Sequence, residues 1–217
     1  MLAYGLFLAA VVLLGAYPPT DSFPYAVALS QGPLLVILVL GCAFIFAVDS
    51  VSREHEKGTA QLLFGTPASR GALLGAKARV PLLVWFVTVA ALAAAYLTLG
   101  LGTQFALLWL VGLCCATLLF LSTLGLLLLI SAAVKGRGAP FVGVMAILFI
   151  FFSSGYFPVE LAGGLRWLSP AYHEYLLAED LLDGALGSPL PLALLLLEAA
   201  AFFGLALWAF KRSEVSS

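Results

Sequence analysis

Charge is what this sequence has least of. Only 10% of its 217 residues are charged, against roughly a quarter in an ordinary soluble domain, while 63% are hydrophobic and the mean hydropathy is +1.12. That balance excludes a water-soluble globule. Histidine is almost missing as well: His55 and His173 are the only two, and neither belongs to an H-E-x-x-H pattern. With no G-x-S-x-G elbow either, an intramembrane protease has no support, and neither a catalytic residue nor a metal ligand is assigned. A G-x-x-x-x-G-K-[ST] loop is also lacking, so the chain cannot hydrolyse ATP by P-loop chemistry. The three cysteines, Cys42, Cys114 and Cys115, fall inside apolar stretches without metal-site spacing, and they read as small apolar residues.

What the chain has in quantity is long apolar runs. About 20 such residues cross a bilayer as a helix, because in hydrocarbon the backbone groups must be satisfied within the segment. The runs predict an all-α, polytopic integral membrane protein with six transmembrane helices, at about residues 2–17, 33–48, 73–99, 105–134, 139–156 and 190–210. The first ends at Pro18-Pro19, and the second opens on Pro33 in its first turn, where a missing amide donor costs nothing. The third and fourth exceed the hydrocarbon thickness and are expected to tilt or to project into water. No basic residue precedes the first run and Tyr17-Pro18-Pro19 is a poor cleavage site, which argues against a signal peptide.

A net charge of −1 says nothing about partners taken whole; its distribution does. Threading the six spans puts Arg53, Lys57, Arg70, Lys77, Arg79, Lys135, Arg137, Lys211 and Arg212 on one side and leaves only Arg166 on the other. By the positive-inside rule that side is the cytoplasm, with both termini inside and the segments near Asp21, Gly100 and 160–183 outside. An odd number of spans would break this sorting.

The longest charged segment runs from Asp49 to Arg70 and on to Lys77. Gly58 interrupts its charges, Thr59 is placed to cap a short helix through Phe64, Gly65 to end it, and Thr66-Pro67 to turn the chain. Ser69 is a second capping candidate, at the start of the third span. One reading is a solvated connector whose charges only enforce topology. Leu62, Leu63 and Phe64 argue against it, since a solvated connector has no reason to present three large apolar residues beside a capped turn.

This loop resembles that of the ABC type-2 transporter permease family: an acidic stretch, Gly-Thr, two Leu, a small-Pro turn, Ser-Arg, then Gly-x-Lys. Here these are Glu54, Glu56, Gly58, Thr59, Leu62, Leu63, Thr66, Pro67, Ser69, Arg70, Gly75 and Lys77. Together with the span count, the segment 153–160 and Leu168-Ser169-Pro170 carry the resemblance over the whole chain. It implies one transmembrane permease domain over residues 1–217, in the cell membrane, acting in an ABC exporter. It further implies a cytoplasmic coupling helix that docks on a separate ATP-binding subunit through Glu54, Glu56, Gly58, Thr59, Leu62, Leu63, Pro67 and Arg70. ATP and Mg would be held by that partner, with no cofactor on this chain, and a second permease copy or homologous half would complete the pathway. Membrane lipids are the remaining partner; no nucleic acid is expected. The competing reading is a non-transporting membrane scaffold or an assembly subunit of another membrane complex.

Between the last two spans, about thirty residues hold Trp167, Tyr172, Tyr175 and most of the acidic residues outside the loop. Ser169-Pro170 forms an N-cap and first-turn pair, and two short outer helices at the headgroup level are expected, rings as anchors and carboxylates facing water. The resemblance makes this region an outer gate, with Tyr156, Trp167, Tyr172 and Tyr175 as its aromatic residues; an interfacial plug without transport duty is the alternative. Glu198 is the one acid well inside a span. No intramembrane basic partner is expected for it, which leaves a protonated carboxyl bonded to a neighbouring helix or a residue of the pathway. Gln104, Thr117, Ser122, Thr123 and Ser131 are candidates for hydrogen bonds between helices.

Overall fold

The computed structural model describes residues 33–47, 69–98, 106–134, 138–154, 160–182 and 189–212, and among these all regular structure is helical. In chain order the helices are α1 (Pro33–Ala47), α2 (Arg70–Thr98), α3 (Ala106–Ala133) and α4 (Gly138–Phe152). A 3₁₀ segment (Glu160–Leu168), α5 (Pro170–Leu182) and α6 (Leu190–Arg212) follow. The expected first span and the loop from Glu54 to Pro67, with Tyr156, Gln104, Lys135 and Arg137, lie outside the described residues.

Local chemistry accounts for where several helices begin. The Ser69 hydroxyl accepts the Ala72 amide at 3.3 Å while its carbonyl accepts the Leu73 amide at 3.1 Å, so α2 starts at Arg70, three residues earlier than the apolar run suggested. Prolines occupy the first turns of α1, α5 and α6, where their lost donor is one of the amides without a helical partner anyway. Among the described residues three stretches are long and apolar enough to cross a membrane, Gly71–Ala94, Gly112–Ala133 and Leu190–Arg212. Val36–Ala47 and Gly138–Phe152 are shorter apolar helices where the second and fifth spans were expected.

The helix α3 is the hub. It touches α1, α2, α4, α5 and α6, and most of it is buried, whereas α2 and α6 are largely exposed. Leu119, Phe120, Leu124, Leu127 and Leu128 of α3 meet α1 (Val36, Leu38, Val39, Leu40, Cys42, Ala43) and Trp85 of α2 in one continuous core. Trp85, fully buried, stacks on Phe120 with ring centroids 4.9 Å apart. Its indole N–H donates to the Thr117 hydroxyl at 3.2 Å, and that hydroxyl donates back to Leu113 O at 2.7 Å, which spares the ring a buried donor without a partner. Large apolar side chains on α2 (Leu83, Phe86), α4 (Phe141, Met145, Phe149) and α6 (Leu196, Leu197) remain exposed on the outside of the bundle, as lipid requires.

The most extensive contact between two described helices is that of α3 with α6. The Ser122 hydroxyl donates across it to Leu195 O at 3.2 Å. One turn further, a Cβ on Gly125 would lie 3.0 Å from Phe202 Cβ and 3.2 Å from the Phe203 backbone nitrogen, neither of which can swing aside. A missing side chain lets the two backbones meet, the usual device where apolar surface alone drives no helix association. Gly204 of α6, by contrast, faces open space. Gly125→Ala is therefore expected to destabilise the purified chain by about 1–3 kcal/mol, whereas Gly204→Ala should be neutral or slightly stabilising, roughly 0–1 kcal/mol. Thermal unfolding in one detergent measures both; equal effects would refute the close packing at Gly125.

Candidate functional site

The connection between α4 and α6 collects the polar groups that the apolar bundle otherwise avoids. At the end of α4 the Ser153 hydroxyl turns back onto Phe149 O (2.6 Å) and Ile150 O (3.2 Å), and the Ser154 amide reaches Phe151 O at 3.3 Å. After the 3₁₀ segment, the Ser169 amide donates to Arg166 O at 2.9 Å. Ser169 begins α5 through its backbone, its carbonyl accepting the Tyr172 and His173 amides at 3.0 and 3.4 Å. Its hydroxyl, expected as the cap, instead donates to Ile150 O at 3.4 Å and ties the start of α5 to the end of α4.

So held, α5 packs against α3, α4 and α6 as well as the 3₁₀ segment. Ala171, His173 and Glu174 point inward and are buried, Tyr172, Tyr175 and Leu176 are half-buried, and Glu179 faces out. The expectation that carboxylates here face water holds for Glu179 and fails for Glu174, which is buried. The physical reason is depth: a helix sunk among three others has no dry face it can give wholly to apolar residues when its sequence is Tyr-His-Glu-Tyr.

The aromatic residues form one cluster. Trp167, half exposed, meets Tyr172 edge-on at 5.4 Å, and Tyr172 stacks with Tyr175 at 6.4 Å. His173 lies beside both Trp167 (6.1 Å) and Tyr172 (6.4 Å). Burial, and then the Glu179 carboxylate, holds the Tyr175 hydroxyl above the ordinary tyrosine range, so it stays a proton donor at neutral pH.

The decisive contact was not foreseen. His173 Nδ1 of α5 lies 3.3 Å from Glu198 Oε1 of α6, with the imidazole fully buried and the glutamate side chain 16% exposed. Glu198 thus has a basic partner within the chain, which corrects the expectation that it had none; α5 carries the histidine in from outside the span. The approach lacks hydrogen-bond alignment, and both imidazole nitrogens and Glu198 Oε2 are buried without a hydrogen-bond partner among the described residues. Of the polar residues on α3, Thr117 and Ser122 bond to neighbouring helices, Ser131 is buried, and Thr123 Oγ1 is buried without such a bond. Among the described residues no group of three His, Cys, Asp or Glu could hold a metal ion.

An ionisable pair inside an apolar bundle marks a candidate functional site. The profile of the ABC-2 family transporter proteins matches residues 7–215. The chain belongs to that family. No curated protein matches it. As an ABC-2 transporter protein it is a multi-pass membrane component of transport. Two of its notable residues escaped sequence reasoning. Gly125 had a signal, a small residue inside an apolar helix beside Ser122 and Thr123; the pairing of His173 with Glu198 had none, because residues 25 apart on different helices share no periodicity.

Breaking a buried pair leaves one group desolvated alone, whereas replacing both by apolar residues does not. His173→Leu is expected to destabilise by about 3 kcal/mol, and the double change with Glu198→Leu by less than the single one. Denaturation of the four proteins of this cycle reads the coupling, and strictly additive losses would show that the two side chains do not interact.

Proposed function

We propose that this chain is the permease subunit of an ABC exporter, forming half of the translocation pathway and driven by a separate ATP-binding subunit. The observation that carries this reading is the family match over residues 7–215 of a chain whose described part is an apolar helical bundle. A single permease domain over residues 1–217, with spans near 2–17, 33–48, 73–99, 105–134, 139–156 and 190–210, keeps nine of ten basic residues on the cytoplasmic side. Both termini are then cytoplasmic, in the cell membrane. The partner binds ATP and Mg, and a second permease copy or homologous half completes the pathway.

In this mechanism ATP binding favours one arrangement of the paired ATPases, and the short helix near Thr59 to Phe64 carries that preference to the spans. The capped start of α2 supports such a lever, because Ser69 fixes the helix directly after the loop, with Arg70 in its first turn. Glu54 and Glu56 lie at the rim of the contact, Gly58, Gly65 and Pro67 shape it, and Leu62 or Leu63 enters a groove on the partner. The test is copurification from native membranes: an associated ATPase supports the permease, and another complex without one supports the scaffold reading.

A carboxylate placed in the groove would lose water without gaining a partner, at a cost of several kcal/mol, whereas a rim charge is worth roughly 1 kcal/mol. Leu62→Asp or Leu63→Asp should therefore abolish transport and weaken ATPase binding while the bundle stays folded, and Glu54→Ala should act mildly and in a salt-sensitive way. Wild-type copurification and transport in the double Leu variant would sink the coupling assignment.

At the other end, Tyr156, Trp167, Tyr172 and Tyr175 are assigned to an outer gate. The ring cluster supports this, because it joins the 3₁₀ segment to α5 beside the buried pair. Trp167→Ala with Tyr172→Ala should reduce export by several-fold with assembly intact; loss of assembly would make the segment an interface instead.

A further inference from the structure

We propose that the last turn of α6 binds the headgroup of an anionic phospholipid through Lys211 and Arg212, with the acyl chains lying on the apolar face that ends at Trp208. The inference rests neither on the permease reading nor on which leaflet the site meets. It begins from the way charge is sorted along the bundle. Among the described residues every acid lies in the 3₁₀ segment, in α5 or, as Glu198, about 20 Å back along α6 from Lys211. The described cations, Arg166 apart, lie in α2 from Arg70 to Arg79 and at the end of α6. Those two stretches share one end of the bundle, because Leu73 of α2 packs against the small cluster of Phe210 of α6 and Ala132 of α3.

Lys211 and Arg212 follow Trp208 by three and four residues, so the three side chains share one face of α6. That face is turned away from the core: Trp208 is 56% exposed, both cations are exposed, and Leu197 and Leu205 continue the exposed apolar surface along the helix. The Arg212 guanidinium sits over the Trp208 ring, 5.1 Å from its centroid. A helical side chain leans toward the start of its helix, and here the ring holds that lean, keeping the charge over the apolar surface. From Leu190 to Phe210 α6 runs about 31 Å, close to the thickness of a hydrocarbon layer. The two cations therefore stand where acyl chains end and headgroups begin.

A partner for this surface must bring negative charge and apolar length together. An acidic protein segment supplies only the first, whereas a phospholipid with a net negative headgroup supplies both. Its phosphate accepts from the ammonium of Lys211 and from the fork of Arg212, and its chains cover Leu197 and Leu205. A zwitterionic lipid carries the same phosphate beside a cation of its own, so two protein cations select by net charge. Lys77, half-buried and one turn beyond Leu73, adds to the positive potential at the same end. Arg79 lies about 200° round α2 from Lys77, exposed beside Val80 and Leu83. It is a cation of the same end that stands outside the site, and it serves as the control.

Quenching of Trp208 fluorescence by brominated lipid tests this with the full chain in phosphatidylcholine vesicles that contain a minor fraction of phosphatidylglycerol. Bromine is carried on the chains either of the phosphatidylglycerol or of an equal amount of the phosphatidylcholine, and the signal of Trp208 is the difference between the wild type and Trp208→Phe. Each cation should favour the anionic lipid about fivefold, so its affinity beside Trp208 relative to phosphatidylcholine is expected at about twentyfold. Lys211→Gln with Arg212→Gln should bring the ratio to about one, and Arg79→Gln should keep it. Equal quenching by the two brominated lipids in the wild type would overturn the proposal and leave the cations to an acidic protein. A preference that survives the double substitution, or that Arg79→Gln removes as fully, would overturn it in favour of the general attraction of a basic surface. The first of these outcomes is read without the charge variants and stands even if they fail to fold.

Discussion

Helices in a bilayer gain nothing from hiding apolar surface from lipid tails as apolar as themselves, so their association rests on close packing and on a few polar contacts. In this protein that requirement falls on α3. Gly125 lets the backbones of α3 and α6 approach to the limit set by Phe202 and Phe203, Ser122 bonds across the same seam, and Thr117 and Phe120 receive Trp85 from the other side. If α3 is displaced, α1, α2 and α6 lose their common support.

That arrangement also explains why the polar chemistry is confined to one end. Among the described residues of α3, the hydroxyls of Thr117 and Ser122 are engaged by carbonyls and by one indole. The connection between α4 and α6 is different. Ser169 ties the start of α5 to the end of α4, α5 sinks among three helices, and its Tyr-His-Glu-Tyr sequence takes two ionisable groups in with it. Burial of His173 beside Glu198 follows from that depth, and the exposed Glu179 shows how near the surface the same helix remains.

The apolar contact proposed for an ATPase lies in the sequence just before α2, and the His173–Glu198 pair lies beside the aromatic cluster. Packed interiors yield in steps, so a switch in such a bundle biases two-state elements rather than deforming them gradually.

Much of this was legible along the chain. Composition marked the protein as built for lipid, and its long continuous apolar runs marked the spans as helices, since in hydrocarbon such a run satisfies its backbone groups within itself. The start of α2 at Ser69 and the proline-led helices were legible for the same local reason: an amide without a helical partner is satisfied, or dispensed with, by a neighbour in sequence. The order of residues around Gly58 to Arg70 pointed to the family that the comparison then showed. Other features were decided only by tertiary structure. That Glu174 turns inward, that Ser169 spends its hydroxyl on α4, that Gly125 is a contact and Gly204 open space, and that Glu198 meets His173 all depend on which helix lies against which. In a sequence where nearly every helix is apolar all round, periodicity no longer marks the inner face, so only the packed bundle assigns it.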